Sequence, residues 1–261
     1  MNMFDEFIMR AIIAIFLLAI NASIAGSFVI FKNVPFLVAG ASHAALAGSA
    51  VFIAIESYMK IDPIVGAIIF AILVAFSASK AKQANVAIGI SFAFSMSLAV
   101  LFISFIKEQA SRVWGLLFGD LLLITNEDII LMAIMTAVVI IISLLFAREF
   151  IFISFDMEGA KASGIKAEYF NYVLLSIISI STVITMKAVG AILVYAMLVA
   201  PSASANKIAK SVSGVFIFSA FFALIAGFFG LALSFYLPFS PSAITALIAT
   251  LIYFILFRKF Q

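Results

Sequence analysis

The sequence predicts an all-α fold: a polytopic integral membrane bundle of about eight to nine transmembrane helices, forming a single domain over residues 1–261. Three observations carry that prediction. Hydrophobic residues make up 66% of the chain and charged residues only 10%, whereas a soluble domain carries roughly 25% charge. The uncharged runs have the length of a bilayer span, about 20 residues. They also lack the alternating polarity and the length of about 9–11 residues expected of barrel strands. Lipid offers no partner to a free amide or carbonyl, so such runs must be helical.

Charges punctuate the runs in order. Arg10 and Lys32 enclose 21 uncharged residues, and Lys32 and Glu56 enclose 23, with His43 inside the second run. Pro63–Ser79, Gln83–Ile106 and Ile129–Ala147 follow. After a polar segment come Tyr169–Met186 and Ala188–Asn206. This stretch is split by Lys187 and interrupted by Pro201, so it reads as two spans or as one span plus a half-helix. The last run, Ser211–Phe257, holds 47 uncharged residues. That is too long for one crossing, and Pro238 and Pro241 supply a turn between two. No clear small-residue cleavage site follows the first run, which reads as a retained span rather than a signal peptide.

Lys and Arg placement sets the orientation. With the N-terminus outside and nine crossings, ten basic residues fall inside: Lys32, Lys80, Lys82, Arg148, Lys161, Lys166, Lys207, Lys210, Arg258 and Lys259. Five fall outside: Arg10, Lys60, Lys107, Arg112 and Lys187. The positive-inside rule favours this arrangement over its reverse. The polar connection Arg148–Glu168 is then cytosolic. Within it, Asp156 to Gly164 reads as a short helix, with Asp156 as cap, Glu158 in the first turn and Gly164 at the end. The connection Lys107–Asp128 is external. It carries Trp114, suited to the membrane–water boundary, and an apolar piece, Leu116–Ile124, too short to cross.

Several functions are excluded. The net charge of +3 comes from scattered Lys and Arg rather than a basic stripe, so nucleic acid is not a partner. With no Cys there is no disulfide or thiolate site. With one His there is no convincing catalytic triad or closed metal cage, so the chain reads as no enzyme and as holding no cofactor tightly. "GAKASG" lacks the Gly-Lys-Ser/Thr ending of a phosphate-cradling loop, so ATP must be bound by a partner if it is used.

Two ionisable residues stand out. His43 lies in "FLVAGASHAALAGSA", among small residues that let helices approach closely. Such a residue faces a bundle interior or a water path, so it lines a substrate route or hydrogen-bonds a neighbouring helix. Asp120 sits in an apolar outer segment, at the mouth of a route or as an ordinary interfacial acid. Lys187 with Gly190 marks a helix break.

These same stretches resemble the permease subunits of the ABC-3 family of metal-ion importers. The family's "GDALSHAxLPG" is matched between Val38 and Gly48, with Ser42, His43, Ala44, Leu46 and Gly48 in place. "LFGD" stands complete at Leu117, Phe118, Gly119 and Asp120. The inner "D-x-x-x-A-x-x-x-G" loop is matched by Asp156, Ala160 and Gly164. "LKAVGxLLVxALLxxPxAxA" is followed from Lys187 through Gly190 and Pro201 to Ala205, and "LSYYLDLPSG" is echoed by Leu233, Ser234, Tyr236, Leu237 and Ser242.

The resemblance implies a membrane-spanning permease of an ATP-driven importer for zinc, manganese or iron, in the plasma membrane of a bacterial or archaeal cell. It implies a second copy of the chain, cytosolic ATPase subunits and an extracytoplasmic metal-binding protein as partners. The divalent metal is a transient substrate, with His43 and Asp120 as metal residues. Asp156, Ala160 and Gly164 form an ATPase coupling element within residues 148–168. The chain departs from the pattern at Ala39, where the family has an acid one helical turn before the His, at Asn85, which replaces another acid, and at Ala47. The resemblance therefore does not fix the metal. An ion-coupled secondary transporter is the alternative, and an accessory assembly protein a third.

Overall fold

The computed structural model describes the backbone of residues 3–106 and 110–259. Lys107 and the side chains of Arg112 and Lys259, used above for orientation, lie outside the described residues. The first span is composite: α1 (Met3–Asn21), a π-helical turn (Ala22–Gly26) and α2 (Ser27–Phe31). Then come α3 (Phe36–Met59), α4 (Pro63–Lys80), α5 (Ala84–Phe105), the short α6 (Ala110–Phe118) and α7 (Asn126–Leu145). Two more short helices follow, α8 (Ala147–Phe155) and α9 (Met157–Ala162). The chain ends with α10 (Ala167–Val189), α11 (Ala191–Ile208), α12 (Val212–Ser234) and α13 (Pro241–Lys259).

Among the described residues, nine helical stretches are long and apolar enough to cross a membrane. Both halves of the ambiguous stretch around Lys187 are among them, as α10 and α11. Lys187 is not itself the break. It lies in the last turn of α10, where a cation suits the helix dipole. The break is Gly190 alone, whose φ of 89° and ψ of 153° only glycine adopts readily. From that corner α10 packs on α4 and α7, and α11 on α12 and α13.

The turns follow local chemistry. Asp62 accepts a hydrogen bond from Ile64 N–H at 2.8 Å, with Pro63 in the first helical position of α4. Thr125 and Asp128 form a reciprocal capping box on α7. Ser211 caps α12, and Pro241 opens α13. The polar connection 148–168 differs from its sequence reading. Its first half is α8, separated from α7 only by Phe146, with Phe150 and Ile153 buried against the bundle.

Burial separates an inner layer from a lipid-facing one. The spans of α3 and α10 are 72% buried, whereas that of α5 is 17% buried. The small residues of α3 make the difference. A side chain at Gly48 would run into the backbone of Gly66 on α4, and one at Gly40 would come within 2.8 Å of Ile88 Cγ2 on α5. Close backbone approach of this kind replaces the hydrophobic effect as the source of helix association in lipid.

The π turn is held by distant serines. The Ala22 carbonyl accepts hydrogen bonds from Ser202 Oγ on α11 at 2.8 Å and from Ser219 Oγ on α12 at 3.0 Å. At the preceding residue, Asn21 donates to Thr136 Oγ1 on α7 at 2.7 Å and accepts from Ser181 Oγ on α10 at 2.7 Å. A π turn leaves backbone groups out of the regular ladder, and in lipid they need such partners. One polar seam thus joins α1, α7, α10, α11 and α12.

Candidate metal pathway and coupling elements

His43 lies on α3, close to the midpoint of the span Phe36–Glu56, and is half-buried. Its Nδ1 is 2.9 Å from the Ala39 carbonyl oxygen, one turn earlier. A carbonyl only accepts, so Nδ1 carries the hydrogen. In the neutral ring the lone pair is then on Nε2. The Phe92 ring of α5 packs 4.6 Å from the imidazole and limits its rotation. With Nδ1 turned to a backbone carbonyl, Nε2 is the ring nitrogen left able to hold a cation.

Asp120 sits in the turn after α6. Its Oδ1 accepts from Leu122 N–H at 2.9 Å, so one oxygen shapes the turn. The other has no protein partner among the described residues. His43 and Asp120 share no hydrogen bond or ion pair. Among the described residues no group of three or more His, Cys, Asp or Glu side chains is placed to hold a metal ion. What the structure gives is single donors rather than a cage.

The segment carrying Asp120 is wedged into a corner of the fold, the outer one in the orientation expected from Lys and Arg placement. Gly119 has φ 44° and meets the backbone of Val189 and Gly190, and a side chain at Gly190 would come within 2.8 Å of Gly119 N. Leu121 N–H donates to Ser242 Oγ on α13 at 3.0 Å, and Leu121 and Ile124 are buried. Nearby, Lys187 Nζ lies 3.7 Å from Asp128 Oδ1, linking the ends of α10 and α7. An outer cavity of about 570 Å³ opens beside this corner, lined by Ser49, Glu56, Asp62, Leu116 and Lys187 among others. Neither His43 nor Asp120 lines it.

At the opposite end, the short helix expected from Asp156 to Gly164 is present as α9. Asp156 Oδ1 accepts from Gly159 N–H at 2.8 Å, and Ala160 is fully buried. Ile165 N–H donates to Ala160 O at 3.1 Å and Gly164 N–H to Lys161 O at 3.0 Å, with Gly164 at φ 82°. These two bonds are a Schellman ending, which needs the left-handed residue that glycine supplies. Hydrogen bonding to Glu158 above all, at 3.3 Å, and then the charges of Glu158 and Glu168, hold the Lys161 ammonium above its ordinary range.

Sequence reasoning missed how α8 and α9 are tied to the first span. Lys32 Nζ donates to the Ile153 carbonyl at 3.0 Å, within the last turn of α8. Phe28 packs edge-on to Phe150 at 5.9 Å, and Phe31 lies 5.3 Å from Phe155. The available signal was the pairing of two Phe-rich segments, "SFVIFK" and "REFIFISF", at the same membrane depth. Burial pushes the Lys32 ammonium below its ordinary range, since neither a carbonyl nor a sulfur balances its charge.

Among the described residues, nine helices long and apolar enough to cross a membrane pack around a polar seam, the arrangement of a multi-pass membrane protein. The chain belongs to the ABC 3 transport family, which matches residues 4–259. It is 31% identical over 257 residues to the manganese transport system membrane protein MntC of Listeria monocytogenes, covering 97% of this chain and 90% of that protein. It is 27% identical over 257 residues to the manganese import system permease protein ScaB of Streptococcus gordonii, covering 97% and 91%. Among solved structures, PsaBC from Streptococcus pneumoniae in complex with Fab superposes with a TM-score of 0.82 at 26% identity, over 96% of this chain and 91% of that chain. An inward-facing metal-chelate type transporter structure shares the fold alone, with a TM-score of 0.72 at 17% identity, over 96% and 85%.

Proposed function

We propose that the chain is the membrane-spanning permease of an ATP-driven importer for a divalent metal ion in the cell membrane, with manganese the first candidate ahead of zinc and iron. The observation that carries this reading is the end-to-end similarity to relatives named as manganese transport membrane proteins. Two copies enclose the route, each docks a cytosolic ATPase subunit, and an extracytoplasmic protein delivers the metal. The chain catalyses no covalent step. His43 offers Nε2 to the passing ion, and Asp120 offers its second oxygen at the outer corner. Few and separated donors suit transport, because a site that binds weakly also releases.

The cytosolic segment 148–168 couples the route to ATP hydrolysis. α9 presents a polar face, while Ala160 and the Schellman ending anchored by Gly164 fix its angle. Movement of α9 reaches α2 through Lys32 and the Phe pairs, and α2 continues into the π turn. The test is co-expression with candidate ATPase and binding-protein subunits, followed by reconstitution. The expected result is a stable complex whose ATP hydrolysis rises with metal-loaded binding protein. A chain that moves metal down an ion gradient with no ATPase bound contradicts the proposal.

A further inference from the structure

A cavity of about 590 Å³ lies between the C-terminal ends of α2 and α4 and the start of α10, roofed by α9. Four lysines line it, Lys32, Lys80, Lys82 and Lys161, against two carboxylates, Glu158 and Glu168. The carboxylates are already engaged. Lys161 pairs with Glu158 at 3.3 Å and with Glu168 at 3.5 Å, and Lys80 pairs with Glu168 at 3.8 Å. Lys32 and Lys82 have no carboxylate partner among the described residues. Lys32 is partly buried in the cavity wall, and its two polar contacts, the Ile153 carbonyl and the Met157 sulfur, carry no negative charge. A partly buried cation without a counter-ion is costly, and an anion beside it relieves that cost.

Two further observations say which anion. Asn171 lines the same cavity, is 94% buried, being 6% exposed, and its side-chain oxygen has no hydrogen-bond partner. It calls for a donor, which a phosphodiester at neutral pH lacks and a headgroup hydroxyl supplies. A second cavity of about 570 Å³ adjoins the first, shares Lys80, Lys161 and Glu168, and adds Phe76, Tyr169 and Tyr172. Below it, Phe76, Leu73 and Ile69 lie at helical spacing on α4 and are all exposed, continuing an apolar stripe into the membrane. Lysines at the membrane surface above an apolar stripe match an amphiphile with a charged head and hydrocarbon tails.

We propose that these cavities hold an anionic phospholipid with a hydroxylated headgroup, of the phosphatidylglycerol type. Lys32 and Lys82 take the phosphodiester, Asn171 accepts from a headgroup hydroxyl, and the acyl chains follow Phe76, Leu73 and Ile69. The site faces the inner leaflet if segment 148–168 is cytosolic, as in the proposed function. The site itself needs only that the α4–α5 connection lie at a membrane surface. Bound there, the lipid braces α9 against α2, α4 and α10 and neutralises the partly buried Lys32.

The test reconstitutes the full chain in phosphatidylcholine vesicles with and without phosphatidylglycerol, then counts lipids retained after mild extraction by native mass spectrometry. The wild type retains phosphatidylglycerol and not phosphatidylcholine. Lys82→Glu and Asn171→Asp each add a negative charge to the cavity while leaving the Lys32–Ile153 hydrogen bond in place. Each lowers retention about tenfold, equivalent to about 1.4 kcal/mol, with membrane yield and melting unchanged. Lys210→Glu, also on the inner side but outside the cavity, leaves retention as in the wild type. Equal retention by wild type and both cavity variants overturns the site. So does equal loss in Lys210→Glu, which would make the effect one of general surface charge. Inorganic phosphate protecting Lys32 and Lys82 from acylation as well as the lipid does overturns the lipid as ligand. Metal flux is not read, so failure here leaves the transport reading untouched.

Discussion

The two ends of the molecule are built on opposite principles. At the outer corner, the segment after α6 is held by backbone against backbone, Gly119 on Gly190, with Leu121 and Ile124 buried beneath it. At the inner end, α8 and α9 are held by side chains: the Phe28–Phe150 and Phe31–Phe155 contacts on α8, and Lys32, which reaches the Ile153 carbonyl of α8 and the Met157 sulfur of α9. Backbone contact between glycines leaves no room for adjustment. Aromatic contacts and a flexible lysine allow a small rotation without loss of packing. The difference teaches that this fold places rigidity at the Gly119–Gly190 corner and compliance at α8 and α9, where the proposed coupling to an ATPase would need it.

The largest expected effect comes from breaking the outer corner. Gly119→Val adds a β-branched side chain at positive φ, directly against the Gly190 backbone. It should destabilise the protein by about 4 kcal/mol, the range of a severe steric defect. Low yield and a melting temperature far below wild type in detergent are the expected readouts. Near-normal melting would show the corner to be as compliant as the inner end.

Gly164→Val probes the inner end with the same kind of change. Here nothing lies within 4 Å of the added Cβ, so the cost is conformational alone, about 1–2 kcal/mol and confined to the end of α9. Yield and melting should stay close to wild type, while metal-stimulated ATP hydrolysis falls. Full coupling in this variant would reduce α9 to a connector.

The smallest effect is expected at Lys187. Its pair with Asp128 is partly exposed, with side chains 38% and 14% accessible. Pairs of that kind contribute about 0–1 kcal/mol. Lys187→Met should therefore shift melting only slightly, which leaves the glycine contact as the main holding force of the outer corner. A loss comparable to Gly119→Val would reverse that ranking.

Much of the architecture was legible in the sequence because lipid leaves so few options. Uncharged runs bounded by Arg10, Lys32, Glu56 and their successors mark the spans, and Asp156 with Gly164 marks α9 by capping chemistry alone. The π turn was not legible. Nothing in "NASIAGS" requires it, and the groups that stabilise it, Ser202 and Ser219, lie 180 and 197 residues further along the chain. Nor was the Gly119–Gly190 contact, which joins two motifs each readable only as a local turn. α8 was hidden because Arg148 and Glu149 at its start read as a loop, whereas its buried face is formed by Phe150 and Ile153. At the site, His43 and Asp120 were singled out by polarity in apolar surroundings. The hydrogen bond to Ala39 that fixes the imidazole, and the turn bond that engages one Asp120 oxygen, come from the structure.

The measurement that bears most directly on the account is metal flux through His43→Ala, in vesicles containing the full transport complex and normalised to folded protein. If Nε2 is a ligand on the route, flux per folded molecule should fall by about tenfold or more, the loss of about 1.4 kcal/mol of transient binding. Melting temperature and ATPase docking should stay near wild type, because among the described residues His43 makes one local hydrogen bond and one ring contact. Adding a carboxylate on the same helix face by Ala39→Asp should tighten metal binding and slow release. Unchanged flux per folded molecule, together with a lowered melting temperature, would make His43 a packing residue and contradict the metal route.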